Sequence, residues 1–318
     1  MNYQLTNLTL NKRPLLPFQE KNDYFKQLLL ISILCLLGVL LLSLLGAGIA
    51  YFLFDVELNN QFSYTNLSSD EMNALKMIQF FSAMGLFILP TFIYAKLLHN
   101  QPFVELGLKT TNIKNFIVVL LIMVSVAPFL SYTITINEAL VLPEFMSGIE
   151  AWMKQSEEQA MQLTTTFLTM NSVVEFIFVF IIVALLPAFG EELLFRGVLQ
   201  KLLVRWIGKP HLAIWLTAII FSALHMQFFG FLPRMLLGVL FGYLFFWSKS
   251  LWLPIFAHLL NNGSVVVVGY LYPETIKQSE IVTFTDDALT KISLAILSLV
   301  ITIGLLFYLK KQYTSTPQ

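Results

Sequence analysis

Long apolar stretches, each of roughly 20 residues, constrain this chain more than any other feature of its sequence. A bilayer core about 30 Å thick is crossed by about 20 apolar residues in helical form. With 57% hydrophobic and 12% charged residues and a mean hydropathy of +0.75, the composition lies outside the range of soluble domains. The sequence therefore predicts an all-α, polytopic transmembrane helical bundle of about eight spans, at 27–54, 77–97, 114–135, 172–189, 211–228, 232–248, 251–270 and 290–309.

The distribution of charge predicts how the bundle is oriented, because Lys and Arg are retained on the cytoplasmic side of a membrane. If the N-terminus is inside, 14 of the 19 basic residues fall in cytoplasmic segments, while Lys76, Lys154, Arg234, Lys277 and Lys291 fall outside. An even number of spans with both termini in the cytoplasm follows. The net charge of zero gives no support to a nucleic-acid partner, and none is expected.

The chain is predicted to form a single membrane domain over residues 1–318, with cytoplasmic tails at 1–26 and 310–318. The first apolar stretch is too long for a removed signal peptide and is interpreted as a retained span. Cys35 is the single cysteine, which excludes an internal disulfide framework and a thiolate metal cluster. In the longest outer connection, 136–171, apolar residues recur at roughly helical spacing and predict an amphipathic surface helix.

Two adjacent glutamates follow a long apolar run in the stretch ALLPAFGEELLFRGVLQ, residues 184–200. Pro187 and Gly190 predict a helix break here, with Glu191 and Glu192 in the first turn of a new helix. An acidic residue is favourable at a helix N-terminus, so a purely structural role is one interpretation. Glu192 and Arg196 lie four residues apart, in the favourable order for an ion pair, which leaves Glu191 directed elsewhere. A carboxylate inside a membrane indicates a functional site by default.

Two histidines also lie within apolar spans: His225 ends AIIFSALHM, and His258 lies in LPIFAHLLNNG. Asn262 follows His258 by four residues, so we expect its amide to lie beside the imidazole. Singly, each histidine is more typical of a hydrogen-bonded packing residue. Together with Glu191 they suit peptide hydrolysis, which needs a water activated by a carboxylate or a metal and donors for the oxyanion. Glu191, His225 and His258 can also bind Zn²⁺ with a fourth position open for water, although no HExxH spacing is present.

The segments GEELLFRG, FSALH and HLLNN resemble the motifs EExxxR, FxxxH and HxxxN of the CPBP intramembrane protease family, the Abi group that includes the CAAX prenyl endopeptidases. The resemblance covers about 172–270 and implies a catalytic core there. It implies that Glu191 and His225 activate water and that His258 and Asn262 bind the oxyanion or share a metal. Supporting roles are implied for Glu192, Arg196 and Phe221. The family is described both as glutamate-type proteases and as metalloproteases. A divalent metal therefore remains a candidate cofactor, and Zn²⁺ is the favoured ion.

The predicted function is an endopeptidase that hydrolyses a peptide bond in a membrane-associated or lipid-proximal peptide, with the site opening toward the cytoplasm. Expected partners are the lipid bilayer and a peptide or membrane-protein substrate; the sequence gives no prediction of oligomeric state. The compact, Phe-rich chain favours a bacterial cytoplasmic membrane, where similar proteins are linked to bacteriocin immunity and peptide processing. Two alternatives are a non-catalytic immunity or scaffold protein and a proton-coupled transporter. No counterpart of the polar set occurs in residues 27–135, which disfavours a transporter built from two related halves.

Overall fold

The computed structural model describes residues 23–56, 67–140, 142–274 and 287–314, and helices account for most of them. No strand occurs in these ranges, and the predicted all-α class is confirmed. We number the helices α1 (Asp23–Phe54), α2 (Ser69–Leu98), α3 (Pro102–Leu106), α4 (Ile113–Glu138), α5 (Ser147–Leu168), α6 (Val173–Ile207), α7 (Pro210–Ala223), α8 (Phe231–Ser248), α9 (Trp252–Leu271) and α10 (Ala288–Thr314).

Seven helices of the described ranges are long and apolar enough to cross a membrane: α1, α2, α4, α6, α8, α9 and α10. The span predicted at 211–228 is instead the 14-residue helix α7. After Leu224 the hydrogen bonds shift from four to three residues back, at His225 and Met226, and Met226 has a left-handed φ of 55° that is incompatible with a helix. A polytopic helical bundle is therefore confirmed, with one short helix in place of the eighth long span.

Helix α6 passes without interruption through the segment where a break was predicted. Pro187 cannot donate to the carbonyl of Val183, but the turn over Phe180–Leu185 is a wider π-helical turn that accommodates the ring. Gly190 allows a close approach to α2, since a Cβ there would lie 2.8 Å from Cβ of Phe87. The prediction of a new helix was wrong, and Glu191 lies in mid-helix rather than at a helix N-terminus.

Apolar side chains from α4, α8, α9 and α10 form one of the buried clusters of the bundle. Ile122, Phe241, Leu253 and Leu309 are each at most 1% exposed within it. The motif residues lie between the π-helical turns of α6 and the helices α7 to α9. The helices of the segment 172–270, α6 to α9, pack against one another.

The amphipathic helix predicted in the connection 136–171 is present as α5. Trp152 of α5 packs against Phe228 at a ring distance of 5.2 Å, and Glu157 accepts a hydrogen bond from the Phe229 N–H. Helix α5 thus contacts the connection between α7 and α8. Most of the predicted tails, at 1–22 and 315–318, lies outside the described residues.

Candidate active site

A buried ion pair on α6 forms the base of the site. Arg196 Nη1 lies 2.6 Å from Glu192 Oε1, and both side chains are fully buried. This is the i,i+4 pair predicted from the sequence. The same Oε1 accepts a hydrogen bond from His258 Nδ1 at 2.9 Å, so Glu192 joins α6 to α9. Because Nδ1 of His258 faces this carboxylate, its proton is held there and Nε2 faces the other way.

Aromatic rings enclose the Glu192–Arg196 ion pair and His258. Phe221 lies 4.9 Å from the ring of His225 and 6.1 Å from that of His258, and the Arg196 guanidinium is 4.8 Å from its centre. Phe221 thus packs against three of the motif side chains. Phe241 of α8 stacks on His258, with ring centres 5.3 Å apart and an interplanar angle of 27°. These contacts fix the plane of the His258 imidazole.

Glu191 lies between the two histidines, as a residue adjacent to Glu192 on α6 must point to a different side. Its Oε2 is 3.9 Å from His258 Nε2 and 4.0 Å from His225 Nε2. That oxygen is buried and has no hydrogen-bond partner among the described residues. His225 Nδ1 bonds the Phe221 carbonyl at 2.8 Å, so its Nε2 is free to face Glu191. Two imidazole nitrogens and one unpaired carboxylate oxygen therefore surround a common space.

Asn262 lies on the same helix as His258 but does not bond to it. Its Nδ2 donates to the Val183 carbonyl at 3.2 Å, and its Oδ1 accepts from Asn261 at 3.0 Å. The Val183 carbonyl is the one that Pro187 leaves without its normal helical donor. Asn262 therefore fastens α9 to the π-helical turn of α6, and its expected place beside the His258 imidazole stays a prediction.

Several neighbours of the site were missed by sequence reasoning. The Gly238 carbonyl accepts a bond from Arg196 Nη2 at 3.0 Å, and the Gly242 carbonyl accepts one from buried Gln200 at 3.1 Å. Both glycines let α8 approach closely: a Cβ on Gly238 would meet Ala218 at 3.0 Å. The four-residue spacing of Gly238 and Gly242 in GVLFG was the available signal for this contact face.

The connection that follows His225 is fastened from a helix outside the motifs. Asn137 at the end of α4 donates to the Phe228 carbonyl at 2.7 Å and accepts from the Leu232 N–H at 2.9 Å. His225 is the most exposed of the three convergent side chains, at 31%. It lies at the end of α7 away from Pro210, the end that the charge distribution predicts to be outer. An outer position of this end and an opening of the site toward the cytoplasm are different expectations, and both stay predictions.

The three convergent side chains can be tested as metal ligands by their spacing. Ligands at about 2.1 Å from a tetrahedral Zn²⁺ are about 3.4 Å from each other. The separations of Glu191 from the two imidazoles, 3.9 and 4.0 Å, are wider. Within the described residues, no group of three His, Cys, Asp or Glu side chains has a geometry suited to a metal. The donor types fit Zn²⁺, whereas their positions here do not.

Comparison with known proteins adds an independent observation. Residues 173–264 match the family described as type II CAAX prenyl endopeptidase, Rce1-like. The chain is 34% identical over 87 residues to the uncharacterized protein YpbD of Bacillus subtilis (strain 168), which covers 26% of this chain and 41% of YpbD. It is 35% identical over 92 residues to the membrane-embedded CAAX protease MroQ of Staphylococcus aureus (strain USA300), which covers 29% of this chain and 34% of MroQ.

Each match thus spans less than half the length of the relative concerned. No solved structure matches the chain. The segment matched by the family contains all three motifs, from Glu191 to Asn262. The comparisons therefore confirm the predicted resemblance to the CAAX-protease family over residues 173–264.

Proposed function

We propose that this protein is an intramembrane endopeptidase that hydrolyses a peptide bond in a membrane-associated or lipid-proximal peptide. The observation that carries this proposal is the position of Glu191 Oε2, which is buried, unpaired and about equally distant from two imidazole Nε2 atoms. A carboxylate oxygen without a donor is costly in a buried position. A water molecule that donates to this oxygen would remove that cost, and it is also the nucleophile that hydrolysis requires.

In the proposed reaction, the water lies between Glu191 and His225. A gap of 4.0 Å is too wide for a direct hydrogen bond and suits a bridging molecule. Glu191 removes a proton as the water oxygen attacks the peptide carbonyl carbon. His225 accepts a second hydrogen bond from the water and orients it, because its Nδ1 already bonds the Phe221 carbonyl.

The carbonyl oxygen becomes an oxyanion and needs preorganised donors. His258 is suited to this role because Glu192 Oε1 fixes its Nδ1 and directs Nε2 at the site, where an Nε2–H group would donate to the oxyanion. Asn262 has one amide hydrogen beyond the bond to Val183 and supplies the second donor. Glu191 then gives its proton to the leaving nitrogen, the C–N bond breaks, and both products depart.

Sequence similarity supports the reaction class and not the substrate. The matched family is named for CAAX prenyl endopeptidases, and the Staphylococcus aureus relative is named a membrane-embedded CAAX protease. We infer a multi-pass protein of a bacterial cytoplasmic membrane, because both relatives are bacterial proteins. Its substrate is a peptide that reaches the site at the boundary between lipid and water.

The first test replaces Glu191 by Gln, which removes the base and keeps the size of the side chain. Membrane peptides from cells with the wild type and with Glu191→Gln, matched for protein level, are compared by mass spectrometry. We expect peptide termini that occur with the wild type and are lost with the variant. The matched control is Glu158→Gln, an exposed glutamate on α5, which should leave those termini unchanged.

Identical peptide termini for the wild type and Glu191→Gln would overturn the proposal. If a cellular phenotype of the wild type also persisted in that variant, the non-catalytic immunity or scaffold function would replace it. A transporter would instead show solute accumulation that depends on Glu191 without new peptide termini.

Metal removal provides a second prediction. We expect cleavage at the wild-type sites to persist after treatment with phenanthroline and dialysis, because the three donors are more widely spaced than Zn²⁺ ligands. The rate of cleavage of a peptide that spans one identified site is the measurement. Loss of that rate, with recovery on addition of Zn²⁺, would support the metalloprotease alternative and contradict the metal-free reaction.

A further inference from the structure

A cavity lies away from the motif residues, at the end of the bundle where α6 ends. It has a volume of about 230 Å³. Its wall is formed by residues of α3, the end of α6, the end of α8 and the two connections beside them: Val104, Lys109, Gln200, Lys201, Val204, Arg205, Phe245, Phe246 and Lys249. Four of these residues are cations, and the apolar ones include two phenylalanines.

The wall is held in place by backbone contacts between two connections. Ser250 Oγ donates to the Lys109 carbonyl at 2.6 Å, and the Leu251 N–H donates to the Gly107 carbonyl at 2.8 Å. Gly107 has a φ of 92°, and a Cβ there would meet the Phe245 ring at 2.8 Å. The segment 107–109 and the turn 249–251 are therefore fixed against each other, so the backbone positions that carry Lys109 and Lys249 are fixed relative to one another.

The charge around this cavity is unbalanced. Glu105 is the carboxylate that pairs with these cations: its side chain lies 3.3 Å from Arg205. The backbone carbonyl of Glu105 also accepts a hydrogen bond from Lys201. Lys109 and Lys249 form no salt bridge within the described residues, and the Lys249 ammonium lies 4.4 Å from the Phe246 ring centre. Four positive charges against one negative charge leave a surplus of three at the mouth of the cavity.

A buried acceptor completes the lining. Gln200 is 2% exposed, its Nε2 donates to the Gly242 carbonyl, and its Oε1 has no partner among the described residues. An unpaired buried acceptor favours a ligand that brings a hydroxyl group as well as negative charge. Val104, 43% exposed, continues the apolar wall to the outside of the bundle, where an acyl chain can lie.

We propose that this cavity binds the headgroup of an anionic phospholipid, with the phosphate among Lys109, Lys201 and Lys249 and a headgroup hydroxyl at Gln200. A free phosphate would use the cations but gains nothing from the apolar wall, which is why a lipid is favoured. Basic residues near a membrane surface attract anionic lipids, each by about fivefold in affinity. The site contains none of the residues to which the proposed reaction assigns a role, and Gln200 lies between it and the α8 contact beside the active site.

Native mass spectrometry of the full-length protein in detergent tests this site with phosphatidylglycerol as the probe. The variant Lys109→Gln/Lys249→Gln removes two charges from exposed positions and keeps most of each side chain. We expect the wild type to retain a phosphatidylglycerol molecule and the double variant to bind it about 25-fold more weakly. Phosphatidylcholine, which carries no net charge, should bind equally weakly to both proteins.

The matched control is Lys96→Gln/Lys209→Gln, which removes two exposed lysines outside the cavity wall from the same predicted cytoplasmic side. We expect its affinity for phosphatidylglycerol to stay within about twofold of the wild type. Equal loss in both double variants would mean a general surface-charge effect and would overturn the site. Displacement of the lipid by millimolar glycerol 3-phosphate would identify a soluble phosphate as the ligand and would overturn the lipid assignment.

Discussion

Arg196 is the buried cation of the motif region. Its guanidinium is fully buried, bonds both Glu192 and the Gly238 carbonyl, and faces the rings of Phe221 and Phe241. Removing one partner of a buried ion pair leaves an uncompensated charge, which is far more costly than losing a surface pair. Arg196 therefore acts on the site through Glu192 and His258 and is a positioning residue.

Replacing Arg196 by Ala should destabilise the protein by about 3–5 kcal/mol, because Glu192 loses its cation in a buried position. The measurement is the free energy of unfolding in detergent, with the amount of protein in the membrane as a second readout. The matched control is Lys154→Ala, which breaks another i,i+4 pair, Glu150–Lys154 at 2.7 Å, on the exposed helix α5. That change should cost about 0.5 kcal/mol or less. Similar losses in the two variants would contradict the bracing role.

At this scale the sequence predicted some contacts and not others. The pair Glu192–Arg196 follows from helical spacing, because both residues are on one helix and four residues apart. The hydrogen-bond partner of Asn262 could not be predicted. Residue spacing shows which face of α9 carries Asn262, but it does not show which acceptor α6 places opposite that face. The Val183 carbonyl is available only because Pro187 lies on α6, a fact about another segment of the chain.

The helices around the site are held by close contacts rather than by long side chains. Helix α6 contains two π-helical turns, Phe180–Leu185 and Leu193–Gln200, on either side of the glutamates. Such turns rotate the residues that follow them and are frequent at functional sites. They let one helix continue through Pro187 while Glu191 and Glu192 face different partners on α7 and α9.

Replacing Gly190 by Ala tests how closely α6 must approach α2. In Gly190→Ala, the new Cβ would lie 2.8 Å from Cβ of Phe87, an atom that moves only with its backbone. We expect a loss of about 1–3 kcal/mol in the free energy of unfolding, together with lower cleavage by the adjacent Glu191. Gly48→Ala on α1 is the matched control, since nothing lies within 4 Å of its Cβ. It should be neutral or stabilising by up to about 1 kcal/mol; a loss as large as that of Gly190→Ala would refute the argument.

Across the whole molecule, hydropathy predicted the helical class and about eight spans, seven of which are long apolar helices in the described residues, because a bilayer core requires a minimum helix length. The continuation of α6 through Gly190 and the early end of α7 were not predictable in this way. Gly190 supports tight packing against Phe87, a tertiary contact that hydropathy does not reveal, and α7 ends at Ala223, three residues before the left-handed Met226. The three motifs were recognisable because they are defined by residue types and their order along the chain. The convergence of Glu191 with His225 and His258 depends on the fold and cannot be seen in the sequence.

The short length of α7 has a consequence for the membrane around the protein. A helix of 14 residues is about 21 Å long, so it falls about 9 Å short of an average hydrocarbon core. A bilayer adapts to such hydrophobic mismatch by thinning beside the short element, at a fraction of a kcal/mol per ångström. The headgroup layer must therefore dip toward the end of α7, where His225 lies. We therefore expect water to reach this flank through the deformed lipid surface, and we expect the proposed peptide substrate, lying in that surface, to be at the depth of the imidazole.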